Sequence, residues 1–524
     1  MRRIPLGLAV ATALVPVLGT LSATPAQAAG SSLTVTTIGR NGAKITSDLN
    51  LVNTRTGKYV SAKSGRRVSL AKGLWSVTVD IETPNTSPYL MSDTLVGVRY
   101  SVTGNNKLTL DARRGKLVRS SVDALSGAAG KQYRSLQTAA VCSGDDSSGL
   151  AGAYNVPGQI YEVPNPGSTY FHFAWLDSWV SDELVNGKTT QTAYYVTRAT
   201  TGMPTTPSAS YRRSGLAKVA LWVRSGETAT PTGEINVGPT DRSTLCEDMV
   251  YGSAFVRTTG PYNATAYVTP GDWSLNGYNS DGDNVYTNGR TFKAGHSYGQ
   301  AFGAAVYGPT SGLPVVANRS LTYNPEQTIG DDHTQTNVDT HNKITLSLGG
   351  KVLKSQTITT KYGSGGTFSV HLAKAGWYVL TDSSTRVHAA PLSSTVTLDW
   401  HFHADPKHSQ VSPGYLTTFN PAGLNSSNSA PERSTTSVAI SVLRSTAEWQ
   451  GEPFAAEHIK SLKVYASHDG GKTWHALSVR KSGSQWVAKV PEPGSKGLVA
   501  LRTVVVDTAG ASSTESVYRA FNVG

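Results

Sequence analysis

Gly295-His296-Ser297-Tyr298-Gly299 matches G-x-S-x-G, the strand-to-helix turn that lifts a nucleophilic serine out of an α/β-hydrolase sheet. Such a turn needs a buried parallel strand before it and a helix after it. Residues 288–294 are mostly polar and no βαβ alternation surrounds them, so a glycine-rich turn is expected and Ser297 is not expected to be a nucleophile. His401 and His403 stand two apart, which puts both imidazoles on one face of a strand at a spacing that can bind zinc. His388, Asp405 and His408 are the nearest further donors, but nothing in the sequence fixes a third ligand, and two polar residues on the solvent face of an edge strand are the simpler expectation. Asn279, Asp281 and Asp283 open like a calcium loop, yet Asn284 and Arg290 occupy positions where that loop requires Gly and Glu. A turn is expected there. No cofactor motif stands out, and none is expected.

The 524 residues carry a net charge of +12, and its distribution is uneven. Residues 31–134 hold 16 Lys and Arg against 6 Asp and Glu, whereas residues 135–524 hold 29 of each. The basic residues of the first stretch include Lys63, Arg66, Arg67, Lys72, Arg113, Arg114, Lys116 and Arg119. A basic unit on a neutral body fits either a solvated surface that keeps the protein soluble or contact with an anionic partner such as cell-wall polymer, acidic polysaccharide or an acidic protein. The aromatic-plus-basic motifs of nucleic-acid modules are missing, so nucleic acid is not an expected partner.

These residues must be positioned by strands. Met1-Arg2-Arg3, an apolar run to about Leu21 and Ala26-Gln27-Ala28 read as a secretory signal over 1–28. No second apolar stretch is long enough to span, so a secreted protein without a transmembrane anchor is expected. In an oxidising compartment Cys142 and Cys246, which lack CxxC spacing, are expected to form a disulfide. Alternating runs between Gly, Asn and Pro turns recur throughout, and no segment sustains a helical period. The expected fold is all-β: tandem β-sandwiches of the immunoglobulin, fibronectin and prealbumin kinds over 31–118, 136–326, 341–404 and 435–524. The second unit is larger, aromatic-rich and holds both cysteines. Residues 119–135 read as a linker or short helix.

One phrase recurs three times: a strand, a Gly turn, then Trp opening the next strand, with Trp75, Trp273 and Trp377. All three tryptophans are expected to plug sandwich cores. Exposed Tyr and Trp of 136–326 remain candidates for stacking on sugars.

Ser467, Asp469, Gly471, Thr473 and Trp474 fit S-x-D-x-G-x-T-W. The pattern resembles the Asp box, a hairpin whose Asp bonds turn amides above a packed Trp; a single copy argues for a structural role and against a propeller. Further patterns follow one another in a telling order: Phe292 to Gly295 then Phe302 to Pro309, Trp400-x-Phe402, Asn425 to Pro431, Ser461 to Val464 leading to Trp474, and Leu501-Arg502 leading to Asp507 and Gly510. This order resembles the C-terminal accessory region of secreted actinobacterial subtilisin-like serine peptidases. The D-[ST]-G, H-G-T and G-T-S motifs of subtilisin-like catalysis are missing, so no catalytic residue carries over. The resemblance implies a non-catalytic accessory region, exported on its own, and an accessory partner or modulator of an extracellular peptidase as the alternative to an adhesion or scaffolding protein.

Overall fold

A computed structural model describes residues 31–524 apart from 86–90, 126–132, 144–145, 186–187, 225–232, 241–245, 247–249, 251, 253–254, 258–261, 280–283, 287–288, 310–312, 326–328, 330–334, 362–364, 388–391, 412–413, 444–458 and 484. The expected signal over 1–28 and the donors His388, Asp281 and Asp283 lie outside the described residues. The architecture is all-β, as expected: the described elements are strands and three single-turn 3-10 helices. Among the described residues no helix is long and apolar enough to cross a membrane.

The first unit is a sandwich. Strand Ser32–Ile38 pairs with Lys44–Ile45, Arg67–Ser69 and, in parallel, Asn105–Asp111. The facing sheet runs Met91–Val102, Gly73–Asp80, Asp48–Asn53, Tyr59–Lys63. Alternation sends Leu33, Val35, Leu49, Leu51, Trp75, Val77 and Val79 into one core. Ile160–Glu162 adds to this second sheet in parallel with Met91–Val102, and Arg119–Val122 pairs in parallel with Ser208–Tyr211. Part of the expected linker is thus strand, and hydrogen bonds cross the boundary between the first two stretches.

The second unit packs a seven-stranded sheet centred on Phe171–Val185 and Lys188–Thr201 against a sheet carrying Gly233–Pro239 and Gly271–Asn279. Cys142 and Cys246 are bonded inside this core.

The larger part of the remaining strands forms one long sheet. Its order is Lys351–Thr359, Thr340–Leu348, Gly376–Arg386, Thr395–Ala404, Ser512–Val523, Gly497–Asp507, Ile459–Ser467, His475–Ala476. The stretches 341–404 and 435–524 meet in it through the pairing of Thr395–Ala404 with Ser512–Val523. Two four-stranded sheets belong to the same core, one carrying Ser320–Tyr323 and Phe368–His371, the other Leu416–Pro421 and Thr435–Leu443. Even-numbered side chains of Thr395–Ala404, among them Leu398, Trp400 and Phe402, point inward, so its odd-numbered residues form the outer face.

Trp75 and Trp273 are buried to 1% exposure, whereas Trp377 is 40% exposed, contrary to expectation. The spacing from Gly explains the difference. Gly73 and Gly271, both at φ near +140°, precede their tryptophans by two residues, and each indole N–H donates to the carbonyl four residues back, Ala71 at 2.9 Å and Thr269 at 2.7 Å. In the third copy Gly376 precedes Trp377 by one residue, and the position two after Gly is Tyr378. Tyr378 is buried and its hydroxyl donates to the Lys374 carbonyl, again four residues back. A one-residue shift along a strand reverses the face, so Trp377 takes the outward position held by Leu74, itself 39% exposed. Trp377→Ala is therefore expected to cost under about 1 kcal/mol and Trp273→Ala about 3 kcal/mol or more in chemical denaturation. Comparable losses would refute this assignment of faces.

Candidate functional site

The basic residues of the first unit do not form one cluster. Lys63 pairs with Asp48 across adjacent strands at 2.6 Å, and Arg113 forms a two-pronged contact with Asp111, whose carboxyl it holds below its usual range. Arg66 and Lys72 occupy exposed turns, Arg114 ends a 3-10 turn, and Lys116 and Arg119 lie in the strands that join the first two units. A smaller group does share a face. On Ser32–Ile38 the outward residue Thr34 is flanked by Arg67 on one side and Lys107 on the other. Further along, Ile38 is flanked by Lys44 and by Asp111, the partner of Arg113. Arg67 is held by Ser32 Oγ and Asn105 Oδ1, both at 2.8 Å. Only the strand register sets Lys107 across Thr34 from Arg67 and Lys44 at the far end of the same strand, so neither stood out in the sequence.

The serine motif is not an elbow. Ser297 is exposed at the start of the strand Ser297–Phe302, which runs parallel to Ala217–Val223. The chain continues as strand where a hydrolase would turn into a helix. His296 Nδ1 lies 2.9 Å from the Ala294 carbonyl of its own turn. Asn279 ends one strand and Asn284 opens the next.

His401 and His403 lie on the outer face of the long sheet, as their spacing predicts, but their strand is interior to the sheet. Trp377 stands directly across from His403. Its ring stacks on His401 with centroids 4.9 Å apart and meets His403 nearly edge-on at 5.7 Å. Among the described residues no three His, Cys, Asp or Glu side chains are placed to hold a metal. The two histidines support an exposed indole.

Asp469 organises a tight turn. Its carboxylate accepts from the amides of Lys472 and Thr473 and from the Thr473 hydroxyl, and Ser467 donates to it at 2.7 Å. These donors hold the carboxyl far below its usual range. Trp474 packs between the Arg502 guanidinium, 4.0 Å from its ring centre, and the edge of Tyr518. A Cβ on Gly471 would sit 2.5 Å from the Tyr518 ring, so glycine there lets Tyr518 lie against the turn.

Several carboxyl groups are buried among the described residues, including Glu162, Asp177, Asp382 and Glu515. Burial pushes Glu162 and Glu515 up to about 8, Asp382 to about 7 and Asp177 to about 6. Glu515 accepts from the Thr417 amide at 2.8 Å, Asp382 from the Tyr323 hydroxyl at 2.7 Å, and Asp177 from Gln137 at 2.7 Å.

No protein-family model and no curated protein matches the chain. Among solved structures, a Bacteroides uniformis protein described as carbohydrate binding is similar over 32% of this chain and 89% of its own, at 11% identity and a TM-score of 0.13. The Bacillus anthracis TIE protein is similar over 52% and 51%, at 12% identity and 0.13. A Corynebacterium diphtheriae protein described as membrane anchored is similar over 75% and 96%, at 9% identity and 0.13. Scores this low carry no functional inference.

Proposed function

We propose that the protein is a secreted, non-catalytic binding protein that holds an anionic polymer of the cell exterior, such as a cell-wall polymer or an acidic polysaccharide, through its first unit. The observation that carries this reading is the outer face of Ser32–Ile38, where Lys44, Arg67 and Lys107 flank outward residues of one strand. Arg67 and Lys107 lie two strand spacings apart across Thr34, about 10 Å, and Lys44 lies four residues further along, about 13 Å from Arg67, so the three cations form an open basic stripe that suits the repeated charges of a polymer. The cations already engaged by Asp48 and Asp111 contribute less. The test is retention on purified cell wall and on immobilised heparin. Elution by moderate salt is expected, with retention much reduced in a Lys44→Ala/Arg67→Ala/Lys107→Ala variant. Equal retention of the variant, or retention indifferent to salt, would refute the reading.

A further inference from the structure

We propose that the outer face of the long C-terminal sheet is a second binding site, a track for an extended neutral oligosaccharide that starts on Trp377 and ends in a groove beside Tyr518. The site is distinct from the cationic face of the first unit.

Three adjacent strands build the track. Gly376–Arg386 contributes Trp377, Val379, Thr381 and Ser383 to the outer face; Thr395–Ala404 contributes Thr395, Thr397, Asp399, His401 and His403; Ser512–Val523 contributes Thr514 and Tyr518. The register places Trp377 opposite His403, Ser383 opposite Thr397, and Thr395 opposite Tyr518. From Trp377 to Ser383 is six residues of one strand, about 20 Å. At the far end a groove of about 670 Å³ is lined by Ser383, Thr395, Thr397 and Tyr518 from the sheet and by His468 and Gly470 from the Asp469 turn. That turn is therefore a wall of the groove, and Gly471 within it gives Tyr518 room to form the floor.

The ligand class follows from what the face offers. One side of the Trp377 indole rests on His401, leaving a surface that is 40% exposed although the ring is braced by two imidazoles and the Gly510 turn. A flat apolar ring face held rigidly at the surface suits the C–H face of a pyranose. Between the two aromatic ends, β-branched Thr side chains with few rotamers and a Ser present hydroxyls that both donate and accept, matching sugar hydroxyls. Extended peptides are disfavoured because these strands are interior, with backbone groups already paired, so strand addition is closed. Polyanions are disfavoured because, among the described residues, Arg519 is the only Lys or Arg lining the groove, and the acidic Asp399 lies on the track.

The full-length protein should be titrated with cellohexaose, xylohexaose, mannohexaose and chitohexaose, following tryptophan fluorescence and heat. Binding of at least one is expected, weakened about tenfold by Trp377→Ala, which corresponds to 1.4 kcal/mol, and weakened also by Tyr518→Ala. The Lys44→Ala/Arg67→Ala/Lys107→Ala variant should bind the oligosaccharide unchanged, which separates this site from the anionic-polymer reading. If Tyr518→Ala fails to fold, the surface variants Trp377→Ala and Thr397→Val carry the test. Failure of all four probes to bind, or binding indifferent to Trp377→Ala, would overturn the proposal. Heparin binding that depends on Trp377 without binding of any neutral hexaose would overturn the ligand class.

Discussion

Removing the Cys142–Cys246 bond with a double serine variant is expected to destabilise the central unit by about 4–5 kcal/mol and to lower its melting transition by about 10–20 °C. The bond joins residues 104 apart in sequence, so its loss releases a loop of that length in the unfolded chain. Both cysteines are buried among Leu176, Tyr195 and Trp273, so two hydroxyls would also enter an apolar core. The C-terminal core shares no residue with this cluster, and its transition should hardly move. Differential scanning calorimetry separates the two. A central transition unchanged by the variant, or by reduction of the wild type, would refute the expectation.

Stability should fall as pH rises from about 5 to 8. Glu162 and Glu515 hold protons in the folded state up to about 8, and Asp382 and Asp177 up to about 7 and 6, whereas the unfolded chain releases them at the ordinary values of 4.5 and 3.8. Between its unfolded and folded values, each group binds more protons folded than unfolded. Its contribution is complete below the unfolded value and is lost as pH climbs through the folded one, at about 1.4 kcal/mol per pH unit. The cause is desolvation: ionised Glu515 would have one oxygen facing the Thr417 amide and the other without a hydrogen-bond partner. Glu515→Gln mimics the protonated acid. It should leave the melting temperature at pH 5 nearly unchanged and raise it at pH 8. Wild-type protein that melts higher at pH 8 than at pH 5 would contradict this assignment.

Glycine and alternation are short-range signals, and they made the all-β class legible. The period of two over runs such as Leu33–Ile38 needs no tertiary knowledge, because a strand's side chains alternate whatever packs on them. The burial of Trp75 and Trp273 was legible for the same reason. That of Tyr378 was legible in principle: counting two residues from Gly376 selects Tyr378 and puts Trp377 outside, a difference the shared wording of the three phrases conceals. His401 and His403 were correctly placed on one solvent face, but their role could not be read, since the ring that covers them comes from a neighbouring strand.

Everything between strands was decided by the tertiary structure. The sequence located the basic excess within residues 31–134, yet only register put Lys107 and Arg67 on either side of Thr34. The 341–404 and 435–524 stretches read as separate because the chain between them is rich in Pro, Asn and Ser, and composition says nothing of hydrogen bonds formed across it. The proposed oligosaccharide track draws on residues 377–383, 395–403, 468–470 and 514–518. Alternation fixes which residues of each strand face outward, a local matter the sequence carries; which strands lie side by side depends on long-range pairing, which no local pattern encodes.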